Sequence, residues 1–187
     1  MTPWMHRWRS GAWVLVLVLV LALGSSLASL SSAAGLPSAY GAVVLSPGGG
    51  PERTEFDLTP VRDRARQENK RLYVYLGASD CRYCRQYEAF LEKNTRELVP
   101  RFAAKYILVD LRSSLSVPAS RLYFRVGGSV WPYVEFQRSI GDERSRLLVY
   151  PTVWLFDADL RPLMQMPSGA GTFQTVQEQI EVLDLVQ

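Results

Sequence analysis

Cys81 and Cys84 stand three positions apart in "LYVYLGASDCRYCR" (72–85), where an apolar run meets a helix-like pattern. They are the only cysteines among 187 residues, so any thiol chemistry or cross-link within this chain is confined to this pair. The flanks predict local structure. Leu72 to Leu76 is aromatic, branched and apolar, which reads as a strand. From Cys81 to about Leu91, the residues Cys84, Tyr87, Phe90 and Leu91 recur at helical spacing. A helix opening at Cys81 puts that thiol beside backbone N–H groups without intrahelical partners, at the positive end of the helix dipole. Thiols so placed have pKa values of roughly 3.5 to 7 instead of ~8.5. Cys84 falls one turn later on the same face, more buried and within disulfide reach. The chemistry this permits is attack by Cys81 on a substrate disulfide and resolution of the mixed disulfide by Cys84. Arg82 is expected to lower the Cys81 pKa further, and Asp80 to push the other way. Tyr83 is expected at the surface beside Cys81, where it can stack on a substrate peptide.

Other uses of two cysteines are weaker. A structural disulfide across three positions closes a very small loop and gains little chain entropy. A zinc knuckle needs four ligands, and no second pair exists. Covalent haem needs histidine after the second cysteine, and residue 85 is Arg. A two-thiolate copper(I) carrier remains open, because soft thiolates suit that ion.

The first residues set the compartment. His6, Arg7 and Arg9 form a positive region, Trp13 to Leu23 is uninterruptedly apolar, and small residues follow in "GSSLASLSSAAG". This is the pattern of a secretory signal peptide over 1–34, with cleavage expected after Ala34 and with Ser32 and Ala34 as the small residues. An uncleaved anchor in the inner membrane, facing the periplasm, is the alternative, although the apolar core is shorter than the ~20 residues of a comfortable span. Export places the cysteines in an oxidising compartment. It also removes His6, the only histidine, and with it any Ser-His-Asp or Cys-His catalysis and any histidine-ligated metal. Without Arg7 and Arg9, 19 basic residues face 18 acidic ones. No basic stripe interleaved with aromatics is present, which argues against nucleic acid as a partner.

Residues 35–54 are rich in Gly, Pro and Ser, end near "SPGGGP", and read as a flexible tether before a domain over 55–187. Leu58 to Asn69 reads as an amphipathic helix with Pro60 in its first turn. Thr95 to Ala104 reads as a helix capped by Asn94 and kinked or divided at Pro100. Tyr106 to Leu111 is a second strand, "TVWLFD" (152–157) a third, and Pro162 to Met166 a fourth. Thr172 to Leu185 is a closing helix anchored by Phe173, Val176, Ile180, Leu183 and Leu185. Between the second and third strands, 113–146 suggests a short helix around Leu115–Tyr123, a turn at Gly127–Gly128, and an edge strand or irregular excursion carrying Trp131, Tyr133 and Phe136. These aromatics are expected to pack on the sheet as a covering hairpin, with partner docking as the other reading. The order of elements is an α/β plan with a mixed sheet.

The segment from Asn69 to Asp110 resembles the thioredoxin-like superfamily, and most closely its exported branch, which includes the thioredoxin-like end domain of a transmembrane electron relay. Lys70, Cys81, Cys84, Tyr87–Glu88 and Val109–Asp110 match that pattern. "VYPTVWLFDADLRPL" (149–163) is similar to the family's cis-proline loop and last hairpin. The resemblance implies a thioredoxin-like α/β fold with helices flanking a mixed central sheet, and an insertion at about 113–146 before the cis-proline loop. Pro151 would be the cis-proline, and Tyr150 the residue whose backbone pairs with a substrate strand. The implied activity is periplasmic thiol–disulfide exchange with client proteins, needing no bound cofactor. The resemblance favours the reductive direction, fed by a membrane thiol relay. An accessory docking protein of an envelope assembly and a copper(I) chaperone are the alternatives. Asp80 stands where thioredoxins carry tryptophan, and Tyr73–Val74–Tyr75 supplies no acid where many carry a buried one. Glu88 is expected to be a solvated helix residue and Arg85 to extend a positive rim.

Overall fold

The computed structural model describes residues 35–142, 147–171 and 174–185. The expected signal peptide, the end of the 113–146 excursion and the Phe173 anchor lie outside them.

Strand β1 (Val43–Leu45) precedes β2 (Thr54–Asp57) and helix α1 (Thr59–Glu68). Pro60 sits in the first turn of α1, where its missing N–H costs nothing, and Asn69 ends the helix in the left-handed region at φ 49°. The strand β3 (Arg71–Ala78) leads into α2 (Arg82–Lys93), α3 (Thr95–Lys105) and β4 (Tyr106–Ser113). Pro100 lies inside α3. The Asn94 side chain does not cap α3; its Nδ2 donates instead to the Phe90 carbonyl at 2.7 Å, at the end of α2. Then come β5 (Leu122–Val126), β6 (Ser129–Pro132), α4 (Tyr133–Ser139), β7 (Thr152–Phe156), β8 (Pro162–Gln165) and α5 (Val176–Leu185).

Five of these strands form the central sheet in the order β1-β4-β3-β7-β8. β1, β4 and β3 run parallel, and β7 and β8 run antiparallel to their neighbours. Strand β3 is central and is buried on both faces, which is why its sequence is a continuous apolar run instead of an alternation. Leu72, Val74, Leu76 and Ala78 pack with Val61 and Ala65 of α1, Phe124 of β5, and Trp154 of β7. Tyr73 and Tyr75 pack with Tyr87 and Leu91 of α2, Phe102 of α3, and Leu183 of α5. This is the mixed α/β architecture with flanking helices that the sequence implies.

The 113–146 excursion departs from its reading in detail. Its start holds only a 3-10 turn at Ala119–Arg121 in place of a short helix. Leu122 and Phe124 are buried while Tyr123 and Arg125 are less so, which is strand alternation. The strand β5 pairs parallel with β2 and antiparallel with β6 across the Gly127–Gly128 turn, making a second, three-stranded sheet. Trp131 lies in β6, and Tyr133 and Phe136 lie in α4. Tyr133 and Phe136 are buried against Phe124, whereas Trp131 is exposed. The excursion is thus a packed layer over one face of the central sheet.

The flexible tether expected over 35–54 is corrected over much of its length. Leu36 and Tyr40 are buried, Ser38–Tyr40 is a 3-10 turn, and Val43–Leu45 is the edge strand of the central sheet. The Tyr40 hydroxyl donates to the Leu91 carbonyl at 2.9 Å, and its ring meets Phe102 edge-on at 5.5 Å. Composition misled because three strand residues and one anchoring tyrosine sit among many Gly, Pro and Ser residues. The folded domain therefore includes residues from Gly35 onward.

Candidate active site

Cys81 ends the loop after β3 and is the N-cap of α2, with an extended backbone at φ −93° and ψ 120°. Its Sγ accepts the Cys84 backbone N–H at 3.0 Å, taking one of the otherwise unpartnered donors of the helix start. The two cysteines form a disulfide with Cα atoms 5.2 Å apart. The first turn of α2 carries Arg82 and no acid. Cys84 is completely buried and its Sγ accepts the Ala78 N–H at 3.5 Å. Cys81 is itself only 3% exposed. Of the two cysteines, Cys81 is therefore the less deeply buried.

The surroundings of the pair come from three strand ends. Tyr83 is exposed on the outer side of α2. Asp80 is tied to the loop after β4: its Oδ1 accepts the Leu115 N–H at 2.8 Å. That loop also holds Leu115, more than half exposed, on the same side as the cysteine loop. The register pairs Leu76 with Thr152 across antiparallel strands, so Tyr150 and Pro151 stand alongside the C-terminal end of β3. The Tyr150–Pro151 peptide is cis. The Tyr150 hydroxyl donates to Ser113 Oγ at 3.0 Å, and the Ser113 carbonyl accepts the Ser79 N–H at 3.1 Å. Tyr150, Cys81 and Cys84 belong to one buried cluster. The structure thus gathers Asp80, Cys81, Arg82, Tyr83, Cys84, Tyr150 and Pro151 at the end of the sheet where β3 finishes.

Sequence reasoning missed the polar cluster behind this loop. Glu88, expected in solvent, is buried at 7% exposure. It lies one turn beyond Cys84 and accepts from the Tyr75 hydroxyl and from Arg85 Nη2, each at 2.9 Å. Arg85 is more than a rim: the same nitrogen reaches the Ala78 carbonyl at 3.4 Å, just before the cysteine loop. On β4, the fully buried Asp110 lies opposite Tyr75 and accepts from Arg112 Nε and the Leu36 N–H, both at 3.0 Å. Gly77 has no room for a side chain, since a Cβ would lie 2.5 Å from the Tyr75 ring. The signal available in the sequence was the four-residue step from Cys84 to Glu88, which keeps both on one helix face.

Burial pushes the Glu88 and Asp110 carboxyls above the usual range, against the opposing pull of Arg85 and Arg112. A carboxyl so raised keeps its proton in the folded state at a pH where the unfolded chain has released it. Its contribution therefore favours folding at low pH and is lost as pH rises from the ordinary carboxylate range through the raised values. This is the reverse of a salt-bridged acid. Urea unfolding of the chain with Gly35 still peptide-bonded to Ala34 is expected to show this falling stability, and Glu88→Gln to flatten it. A rising profile over the same interval would contradict it.

Among the described residues, no group of three or more His, Cys, Asp or Glu is placed to hold a metal ion. No helix among them is long and apolar enough to cross a membrane. No protein-family model matches the chain, and no curated protein matches it significantly. Among solved structures, a thioredoxin-fold protein from Helicobacter pylori aligns at 16% identity over 76% of this chain and 72% of its own, with a TM-score of 0.44. The reduced thioredoxin pre-protein of Schistosoma mansoni aligns at 12% identity over 70% of this chain and 96% of its own, with a TM-score of 0.35. Identities and scores this low leave the assignment to the strand order, the strand directions and the position of the cysteine pair. On those grounds the chain has a thioredoxin-like fold.

Proposed function

We propose that the chain is an exported thiol–disulfide oxidoreductase that works on client proteins in the periplasm as a reductase. The observation that carries the reading is the Cys81–Cys84 disulfide at the start of α2, with Cys81 Sγ held by a helix-terminal N–H. The same N–H that donates to a disulfide sulfur stabilises a thiolate. In the reduced protein, the Cys81 thiolate attacks one sulfur of a client disulfide. That S–S bond breaks, a mixed disulfide forms, and one client thiolate leaves. Cys84 then loses its proton and attacks Cys81 Sγ, releasing the second client thiolate and forming the Cys81–Cys84 bond. Two electrons pass to the client, and a dithiol of a membrane relay must return them. Tyr150 and Pro151 are read as the edge that a client strand pairs with, and Tyr83 as a stacking surface beside Cys81.

Cys84→Ser in the exported protein is expected to accumulate Cys81-linked mixed disulfides with clients, because the resolving step is gone. Non-reducing gels with and without thiol reductant read this directly. Absence of such adducts, with adducts also absent from wild type under alkylation, would contradict the exchange mechanism.

A docking role for the excursion is favoured by one observation, the exposed Trp131 on β6. In that reading Cys81→Ser leaves client binding intact, whereas Trp131→Ala weakens it.

A further inference from the structure

Gly35 and Leu36 meet the buried acids in a way that suits a chain terminus. Both residues are buried. The Leu36 N–H donates to Asp110 Oδ2 at 3.0 Å, and the Gly35 N–H donates to Glu88. Gly35 has φ +133°, and a Cβ there would collide with Asp110 Oδ2 and the Arg112 guanidinium, so glycine alone fits. A cavity of about 20 Å³ adjoins it, lined by Gly35, Ala78, Arg85, Glu88, Asp110 and Arg112 among others. That is space for about one water molecule or a small polar group. The Asp110 side chain is 1% exposed, yet its Oδ1 has no hydrogen-bond partner among the described residues. A buried carboxylate oxygen without a donor is costly. Arg85 and Arg112, both more than a third exposed, approach the two acids from the solvent side. What the buried side lacks is a donor for Asp110 Oδ1.

The sequence supplies one. The expected cleavage site puts the scissile bond between Ala34 and Gly35. Hydrolysis there by a signal endopeptidase consumes one water, leaves a carboxylate on Ala34 and leaves an α-ammonium on Gly35. We propose that this new α-ammonium docks between Glu88 and Asp110, so that the processed amino terminus serves as the counter-ion of the acid pair behind the cysteine loop. The proposal rests on the export reading and is independent of the redox one. Tyr75 on β3, Arg85 and Glu88 on α2, and Asp110 and Arg112 on β4 are the charged or titratable groups that face the site. Because Arg85 bridges Glu88 and the Ala78 carbonyl, docking also fixes the stem of the loop that carries Cys81. Precursor and processed protein then differ in the rigidity of that loop.

The test expresses the full chain in a Gram-negative host, recovers the exported protein and determines its amino-terminal residue by mass spectrometry. The pH dependence of α-amine labelling is then followed on the folded protein and on the same protein in urea. The expected first residue is Gly35. The expected titration midpoint lies at least about one unit above the ordinary α-amine value of ~7.7–8.0, which at pH 8 slows labelling by about fivefold or more. Burial without carboxylate pairing moves that midpoint the other way, so the sign separates docking from mere enclosure. Glu88→Gln and Asp110→Asn are each expected to lower the midpoint, and Glu88→Gln suffices if the other variant does not fold. Cys81→Ser is expected to leave it unchanged, so a failure of docking and a failure of the redox reading are told apart. A first residue other than Gly35, or a folded-state midpoint at or below the urea value, overturns the proposal.

Discussion

Cys81→Ser is expected to reduce thiol–disulfide exchange to background, a loss of at least about a thousandfold in the rate of reducing a protein disulfide. The size of the effect follows from the residue inventory. The chain has two sulfurs capable of this chemistry and, outside the expected signal peptide, no histidine to activate another nucleophile. Cys84 does not substitute for its neighbour, because it is fully buried and its Sγ sits against the Ala78 N–H. The variant is expected to keep its fold. Serine at an N-cap accepts the same backbone N–H that Cys81 now receives from Cys84, and serine is among the residues preferred there. Loss of activity with unchanged stability is therefore the signature, and substantial residual activity in Cys81→Ser would mean that the chemistry lies elsewhere.

Phe124→Ala carries the largest expected effect on stability, about 3–5 kcal/mol. Phe124 is completely buried on β5 and contacts the rings of Phe56, Tyr133, Phe136 and Trp154, with centroid distances from 4.6 to 6.3 Å. It joins the three-stranded sheet to the helix α4 and to the central sheet. Truncation leaves a cavity at the meeting point of three elements, none of which can close it without moving the others. For a domain of this size the loss corresponds to a fall in Tm of roughly 10 °C. A drop of less than about 1 kcal/mol in denaturant unfolding would show that the excursion is loosely attached and not part of the core.

The central elements were legible because their signals are strong and local. Leu72 to Leu76 is too continuously apolar for an edge position, and Tyr106 to Leu111 repeats the pattern, so two buried strands followed directly. The cysteine pair announced a helix start, and α2 begins at Arg82 with Cys81 as its cap. Legibility failed where a short segment gains its structure from distant partners. Val43–Leu45 forms a strand only because β4 offers an edge, and β5 pairs with β2 across more than sixty positions of sequence. The polar cluster was hidden for a related reason. Glu88 looks like any exposed helix glutamate until Tyr75, from a strand thirteen residues earlier, supplies a hydroxyl to its carboxylate. Asp110 was visible as part of a pattern, but its burial depends on Leu36 folding back seventy-four residues.

The most direct test of the redox account equilibrates the exported protein in glutathione buffers of graded composition and quantifies the Cys81–Cys84 disulfide by alkylation and mass spectrometry. The account predicts a reversible two-electron couple with a potential towards the thioredoxin end of the range, ~−270 mV. A reversible couple near ~−120 mV would retain the exchange chemistry and reverse its direction. Failure of the two cysteines to form any reversible disulfide would contradict the account outright.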